Sequence, residues 1–358
     1  MTSALAPHLL RLLGAILCAE LACQQTTPPP PPLPLEADSS QAEATPAPAP
    51  RGRFGNWSAK RPRLRLLWQN DSWWTDSDRF FTNGAEIGVT FAAADDSLSW
   101  LPFRGEPTVA THEIAIGQDM YTPEEFETPT PDPNDRPYAG WLHLSYRHEL
   151  LTLGAGREDR LDTWELELGI VGPSSLADDT QIQVHEFVDA PRPQGWASQL
   201  RDEPGILLGY GRHYRTWFDD KSFGPFEADL VGQAGFRLGN VDTSVRLGST
   251  VRFGYKLPRH LGSAARPDGP SPHRVYLQAG VTGRLVLRNI FLDGNSYRRS
   301  PSVDRNFFVS EFHVGAVWEL PNNLRFSVIG TFRTPEFDSP STLGDPTYFT
   351  SMQLEMFF

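Results

Sequence analysis

The chain has 358 residues, 32 of them Lys or Arg against 44 Asp or Glu, a net charge of −12 and two cysteines. That acidity argues against a nucleic-acid partner, and with both cysteines, Cys18 and Cys23, at the N-terminus, the rest of the chain has neither a disulfide framework nor thiol chemistry. Beyond the N-terminus no apolar run reaches the ~18 residues that a membrane helix needs.

Leu9 to Ala22 is a short apolar core with His8 and Arg11 near its start and small residues at its end, so residues 1–22 read as a secretory signal peptide. Leu21-Ala22-Cys23 hints at a lipoprotein cleavage site, although Glu20 suits one poorly. The segment from Pro28 to Pro50 is rich in Pro, Ala, Glu and Ser and cannot bury a core, so residues 23–55 are expected to form a disordered linker. The folded domain then spans 56–358.

From Leu64 onward the dominant period is two. Leu142, Leu144 and Tyr146 alternate with His143, Ser145 and Arg147, Trp164, Leu166 and Leu168 with Glu165 and Glu167, and Val275, Leu277, Ala279 and Val281 with Gln278 and Thr282. The same alternation recurs over 64–70, 82–91, 112–119, 206–215, 226–237, 245–256, 308–320, 324–333 and 347–358. About twelve strands, many near the ~10 residues of a membrane-crossing strand, carry charge on one face and apolar residues on the other. A soluble sandwich would use strands of ~5–6 residues and tolerate fewer charges between its sheets. The fold expected is an all-β transmembrane antiparallel β-barrel in a bacterial outer membrane. With the N-terminus in the periplasm, the connections 71–81, 120–137, 172–205, 238–244, 289–306 and 334–346 face the cell exterior.

Three of those connections carry candidate chemistry. Trp68 to Gly88 sets Asn70 and Asp71 where one strand ends and Phe81-Thr82-Asn83-Gly84 where the next begins. Read blandly this is a hairpin turn; read functionally it gathers carboxylate, amide and hydroxyl oxygens, the hard donors that calcium prefers. Gly117 to Trp141 is stiffened by Pro and decorated by Asp119, Asp132, Asp135 and Arg136. In Val171 to Pro204, Ser174 or Ser175 is expected to cap a short helix running to about Val188. Val184, Phe187 and Val188 would dock that helix, and Asp178, Gln181, His185 and Asp189 would line another side. A lone His on a helix is usually structural or merely exposed; one aligned with Gln and two Asp at a barrel mouth is less easily dismissed.

These residues resemble the outer-membrane lipid A 3'-O-deacylase family. The resemblance rests on Asn70-Asp71, Phe81-Thr82-Asn83-Gly84, Gly117-Gln118-Asp119 with Tyr121, and Asp135-Arg136-Pro137-Tyr138-Ala139-Gly140-Trp141. Val171-Gly172-Pro173, Gln181 with His185, Gln194-Gly195-Trp196 and Leu292-Asp293-Gly294-Asn295 extend it over nearly all of 64–358. It implies a twelve-stranded barrel whose calcium-dependent esterase site lies at the outer mouth and acts on lipid A of lipopolysaccharide. It further implies His185 as the general base, with Gln181 beside it, Asn70 and Thr82 orienting the ester, and Ca2+ held by Asp71, Asn70, Gln181 and Asp189. The family commonly places Glu six or seven residues after the His, where this chain has Pro191 and Arg192, with Asp189 or Glu186 as the nearest carboxylates. Its second loop is acidic where some relatives carry basic residues suited to a lipid A phosphate.

The chain is expected to act as a monomer among outer-membrane lipids. No Gly-x-Ser-x-Gly elbow frames Ser174 or Ser175, so a covalent serine mechanism is less attractive. Two rival readings are a non-catalytic barrel, porin-like or structural, and a soluble secreted lectin-like sandwich. Bulky His143, Arg147, Arg284 and Arg288 on the polar faces point to a plugged lumen rather than a pore.

Overall fold

The computed structural model describes residues 57–58, 62–71, 80–92, 109–154, 159–217, 224–263, 266–267, 272–321, 323–338 and 346–358. The expected signal peptide and the whole of the expected linker lie outside the described residues. Twelve antiparallel strands form one closed barrel: β1 (Arg63–Asn70), β2 (Phe80–Ala92), β3 (Val109–Thr122), β4 (Ala139–Leu153), β5 (Asp159–Val171), β6 (Glu203–Trp217), β7 (Phe226–Gly239), β8 (Asp242–Tyr255), β9 (Arg274–Asn289), β10 (Phe308–Glu319), β11 (Leu324–Arg333) and β12 (Thr347–Phe357). Each strand pairs with its chain neighbours, and β12 pairs with β1 from Thr350↔Asn70 to Phe357↔Arg63. Closure leaves no free edge, so every strand satisfies its backbone hydrogen bonds inside the wall, as a hydrocarbon environment demands. No described helix is long and apolar enough to cross a membrane; the crossing is made by strands.

The expected strand periods hold, and the structure assigns their faces. Outward stand Ile87, Ile116, Leu144, Leu168, Ile206, Leu247, Leu277 and Val314, all exposed, as a belt facing lipid requires. Inward stand the alternating Arg and Glu. Both ends of the barrel domain lie at one rim, the terminal end, because Arg63 faces Phe357. The long connections 123–138, 172–202 and 290–307 all lie at the opposite rim, the far end.

Ion pairs fill the lumen near the terminal end. Glu113, only 1% exposed, accepts from Arg63 at 2.6 Å, Arg65 at 2.7 Å and Arg147 at 2.5 Å. The connection after β8 folds into this end: Arg63 and Arg325 donate to the Gly262 carbonyl, Arg215 and Arg252 to that of Pro258, and Ser263 to Glu149. At the far end an aromatic layer crosses the lumen, with Phe81 packed on Tyr121 and Phe349, and Tyr121 stacked on Phe291 at 4.2 Å. Between them lies a cavity of about 630 Å³, walled by Asp119, Arg237, Arg246 and Arg284 among others and reaching Leu261 and Gly262 of the inserted connection. Material at both ends argues against a conducting lumen.

Removing Glu113 would leave three guanidinium groups clustered without their shared carboxylate. Glu113→Ala is expected to lower stability by roughly 3–5 kcal/mol, the usual cost of breaking a buried pair, read as a lower urea midpoint of the detergent-folded barrel.

Candidate active site

The candidate residues gather on the outside of the wall at the far end. Gln69, Asp119, Tyr121 and Trp141 line the lumen cavity, so by the period of two Asn70, Gln118, Thr122 and Gly140 face outward. A bulge between Phe81 and Asn83 interrupts the β2–β3 register, and Thr82, at the bulge, reaches Thr122: their hydroxyl oxygens lie 2.6 Å apart. The Asn70 amide donates to the Thr82 carbonyl at 3.0 Å. Asp71, next along the chain, is 2% exposed. Asn70, Thr82 and Thr122 therefore form one polar patch, with buried Asp71 at its edge.

A helix lies against the same face one strand pair away. A short 3-10 turn, Pro173–Ser175, leads into α1, Ala177–Val188. The expectation of a Ser cap is corrected. Leu176 is the N-cap, in the left-handed region at φ 59° and without a side-chain cap bond. Ser174 donates from its amide and hydroxyl to the Asp202 carboxylate instead, and Ser175 is fully buried. Gly140 explains that burial, since a Cβ there would lie 2.1 Å from Ser175 Oγ and 2.3 Å from Ala177 Cβ. The glycine of the Tyr138-Ala139-Gly140-Trp141 stretch is the notch that admits the helix. Gln118 Nε2 anchors the approach by donating to the Ser175 carbonyl at 2.7 Å.

The docking face is also the reverse of the expected one. Ala177, Gln181 and His185 are the buried residues of α1, whereas Phe187 is 90% and Val184 48% exposed. Polar side chains turn inward because each finds a fixed partner. Trp196, on the 3-10 turn Trp196–Ser198, donates Nε1–H to Gln181 Oε1 at 2.7 Å. An indole N–H can only donate, so the bond assigns the Gln181 amide: Oε1 accepts, and Nε2 is left as the donor end. His185 Nδ1 lies 2.5 Å from the Pro191 carbonyl oxygen, and the ring packs edge-on against Phe126. A carbonyl can only accept, so Nδ1 carries the hydrogen and Nε2 is the acceptor atom of the neutral ring. Trp196 packs on Tyr138, and both belong to a cluster with Met120, Ala177 and Phe126.

The chain thus brings the site residues together as two sets, Asn70, Asp71 and Thr82 on the β1–β2 rim and Gln181 with His185 on α1. Asp189 follows α1 as its C-cap, one helical turn after His185, left-handed at φ 57° and exposed. Among the described residues no three His, Cys, Asp or Glu side chains cluster as a metal would require. The donors that fit a hard cation are the single buried carboxylate of Asp71 and the amide oxygen of Asn70, whose nitrogen is the end engaged by Thr82. Sequence reasoning missed the roles of Thr122, Trp196 and the Pro191 carbonyl; the Gln-Gly-Trp stretch was a signal for the second, but a backbone carbonyl leaves none.

Arg136 braces the rim. It is 1% exposed, donates to Glu336 at 3.1 Å and stands over the Tyr121 ring at 5.0 Å. Burial alone would raise the Glu336 carboxyl, but Arg333, Arg136 and Arg284 outweigh it and hold it down at about 2. Asp135 is pushed the other way, upward by burial, against backbone N–H donation from Glu124 and Arg136.

A family model described as Outer membrane protein LpxR matches residues 37–358. Among solved structures, LpxR from Salmonella typhimurium is 19% identical, matched over 83% of this chain and 100% of that one with a TM-score of 0.66. The β domain of the Bordetella autotransporter BrkA is 12% identical over 84% and 100%, with a TM-score of 0.46. The translocator domain of the autotransporter NalP from Neisseria meningitidis is 11% identical over 83% and 88%, at 0.41. No curated protein matches the chain.

Two outcomes test this geometry. Gly140→Val is expected to expel α1 while the barrel stays closed, seen as protease cleavage within 177–203 with an intact heat-modifiable band. The depressed Glu336 carboxyl contributes stability that is complete above its ordinary value of 4.5 and is lost as pH falls towards about 2. Glu336→Gln should remove that acid-side dependence from the unfolding midpoint.

Proposed function

The chain belongs to the outer membrane protein LpxR family, and on that premise we propose that it is an outer-membrane lipid A deacylase, hydrolysing an ester-linked acyl chain of lipopolysaccharide with its site towards the cell exterior. The observation that carries the reading is the inward-turned face of α1: a His whose Nδ1 is tied to a carbonyl, beside a Gln whose Oε1 is tied to an indole, against the outward face of the wall. A lipid in the surrounding leaflet reaches that face laterally, without entering the lumen.

The chemistry follows from the assigned atoms. His185 Nε2 takes a proton from water as the water oxygen attacks the ester carbonyl carbon. The carbonyl oxygen gains negative charge, which the Gln181 Nε2 donor is suited to stabilise, with Asn70 and Thr82 orienting the ester. On collapse the C–O bond to the sugar breaks, the leaving oxygen takes the proton back from His185, and a free fatty acid departs. Calcium on Asp71 and Asn70 would supply positive charge near the carbonyl oxygen. The Gln181 oxygen is already the acceptor for Trp196, so Gln181 serves better as a donor to substrate than as a ligand.

The departure from the family pattern after the His finds its compensation here. The carbonyl of Pro191, one of the residues where relatives commonly carry Glu, holds the ring and selects its tautomer. Carboxylate and carbonyl are both acceptors, so either can orient an imidazole.

His185→Ala is expected to cut turnover by roughly 10²–10⁴-fold, the worth of a positioned base, with the barrel still folded. His185→Asn keeps a polar side chain but cannot act as a base near neutrality. Near-normal release of fatty acid by that variant, followed by mass spectrometry of lipid A, would sink the catalytic reading and leave a non-catalytic barrel. The rate of the unmodified chain should fall on the acid side as the imidazole protonates and loses its acceptor lone pair. Excess chelator and Asp71→Ala should each abolish hydrolysis, and full activity in chelator would remove calcium from the mechanism.

A further inference from the structure

We propose that α1 is also an interfacial membrane helix, whose outward apolar stripe lies among the acyl chains of the leaflet at the far end. Beyond Leu176, the left-handed N-cap, Phe187 and Val184 are three residues apart and fall about 60° from one another around the helix at 100° per residue. All three are exposed, at 54%, 90% and 48%. The acidic residues Asp179 and Glu186 occupy a different flank, and Ala177, Gln181 and His185 face the wall. The helix therefore has three sides, one docked, one charged and one apolar without a protein cover among the described residues.

Its height on the wall identifies what covers the apolar side. The Ser175 carbonyl binds Gln118, and Gln118 pairs with Leu142 in the β3–β4 ladder. The next outward-facing pair along that ladder, two residues towards the terminal end, is Ile116 with Leu144, exposed at 50% and 54% in the lipid-facing belt. Two residues of strand span about 7 Å. Leu176 thus stands within one side-chain step of the belt, on the same outer face of the wall. An exposed Leu, Val and Phe continuous with a lipid-facing surface extend that surface, and the flanking carboxylates turn to the headgroup water, the arrangement of a helix lying in the interface.

The inference does not depend on the chemistry of His185, and its test reads no activity. A nitroxide is placed at Phe187→Cys and, as a control, at Glu186→Cys, in a full-length chain carrying Cys18→Ser and Cys23→Ser and reconstituted in phospholipid vesicles. Phe187 is 90% exposed, so the label displaces no packed side chain. The expected result is high collision with oxygen and low collision with aqueous nickel chelate at 187, and the reverse at 186. Strong nickel collision at 187 would place the stripe in water and overturn the proposal. Weak collision with both reagents would signal a protein cover, such as a second copy of the chain, and would overturn it equally.

Discussion

Everything in this molecule depends on the ladder between β1 and β12. It joins Arg63 to Phe357 and Asn70 to Thr350, and turns a twelve-stranded meander into a wall without an edge. Without it, the N–H and C=O groups of the two terminal strands would face hydrocarbon unpaired, at several kcal/mol each. With it, the barrel has two faces only, and the period of two divides the chemistry between them. Charges go inward, where Arg63, Arg65 and Arg147 share Glu113 and pair further with Glu355, Glu86 and Glu165, and apolar residues go outward. The same ladder carries Asn70 to the far rim beside the paired Asn83 and the bulge at Thr82.

The outward face changes character near that rim. Ile116 and Leu144 belong to the lipid-facing belt, yet one pair further on stands Gln118, and then Gly140, Thr122, Thr82 and Asn70. A polar strip on the outside of a membrane barrel would be costly if lipid covered it. Here α1 and the Trp196 turn cover part of it. The ion pairs of the lumen, the connection inserted at the terminal end and the aromatic layer at the far end brace the wall from within.

The covered site shows how a helix can be held firmly through its polar side. Gly140 removes a Cβ so that Ser175 and Ala177 can approach, Gln118 holds the entry, and Trp196 and the Pro191 carbonyl hold the two polar side chains. Those last two bonds also assign the donor and acceptor ends of the Gln181 amide and the His185 ring.

Much was legible in the sequence because the physics that encodes it is local. Alternation along a strand follows from the pleat, so all twelve strands, their faces and the closed all-β architecture could be read from residue types, and a short loop helix ending near Val188 from its own pattern, though not its cap. Asn70, Asp71, Thr82, Gln181 and His185 were legible only as candidates, because a hairpin turn or a structural His explains each of them as well until the resemblance is added. What the tertiary structure decided is which surface each meets. Val184 and Phe187 form the better apolar side in isolation, yet α1 docks through Gln181 and His185, because the wall beside it offers donors, acceptors and the Gly140 notch, and lipid beyond it can take the apolar side. The position of the site outside the barrel and the carbonyl that orients the His were hidden for the same reason: both depend on what a distant segment places opposite a residue, and periodicity along the chain carries no record of that.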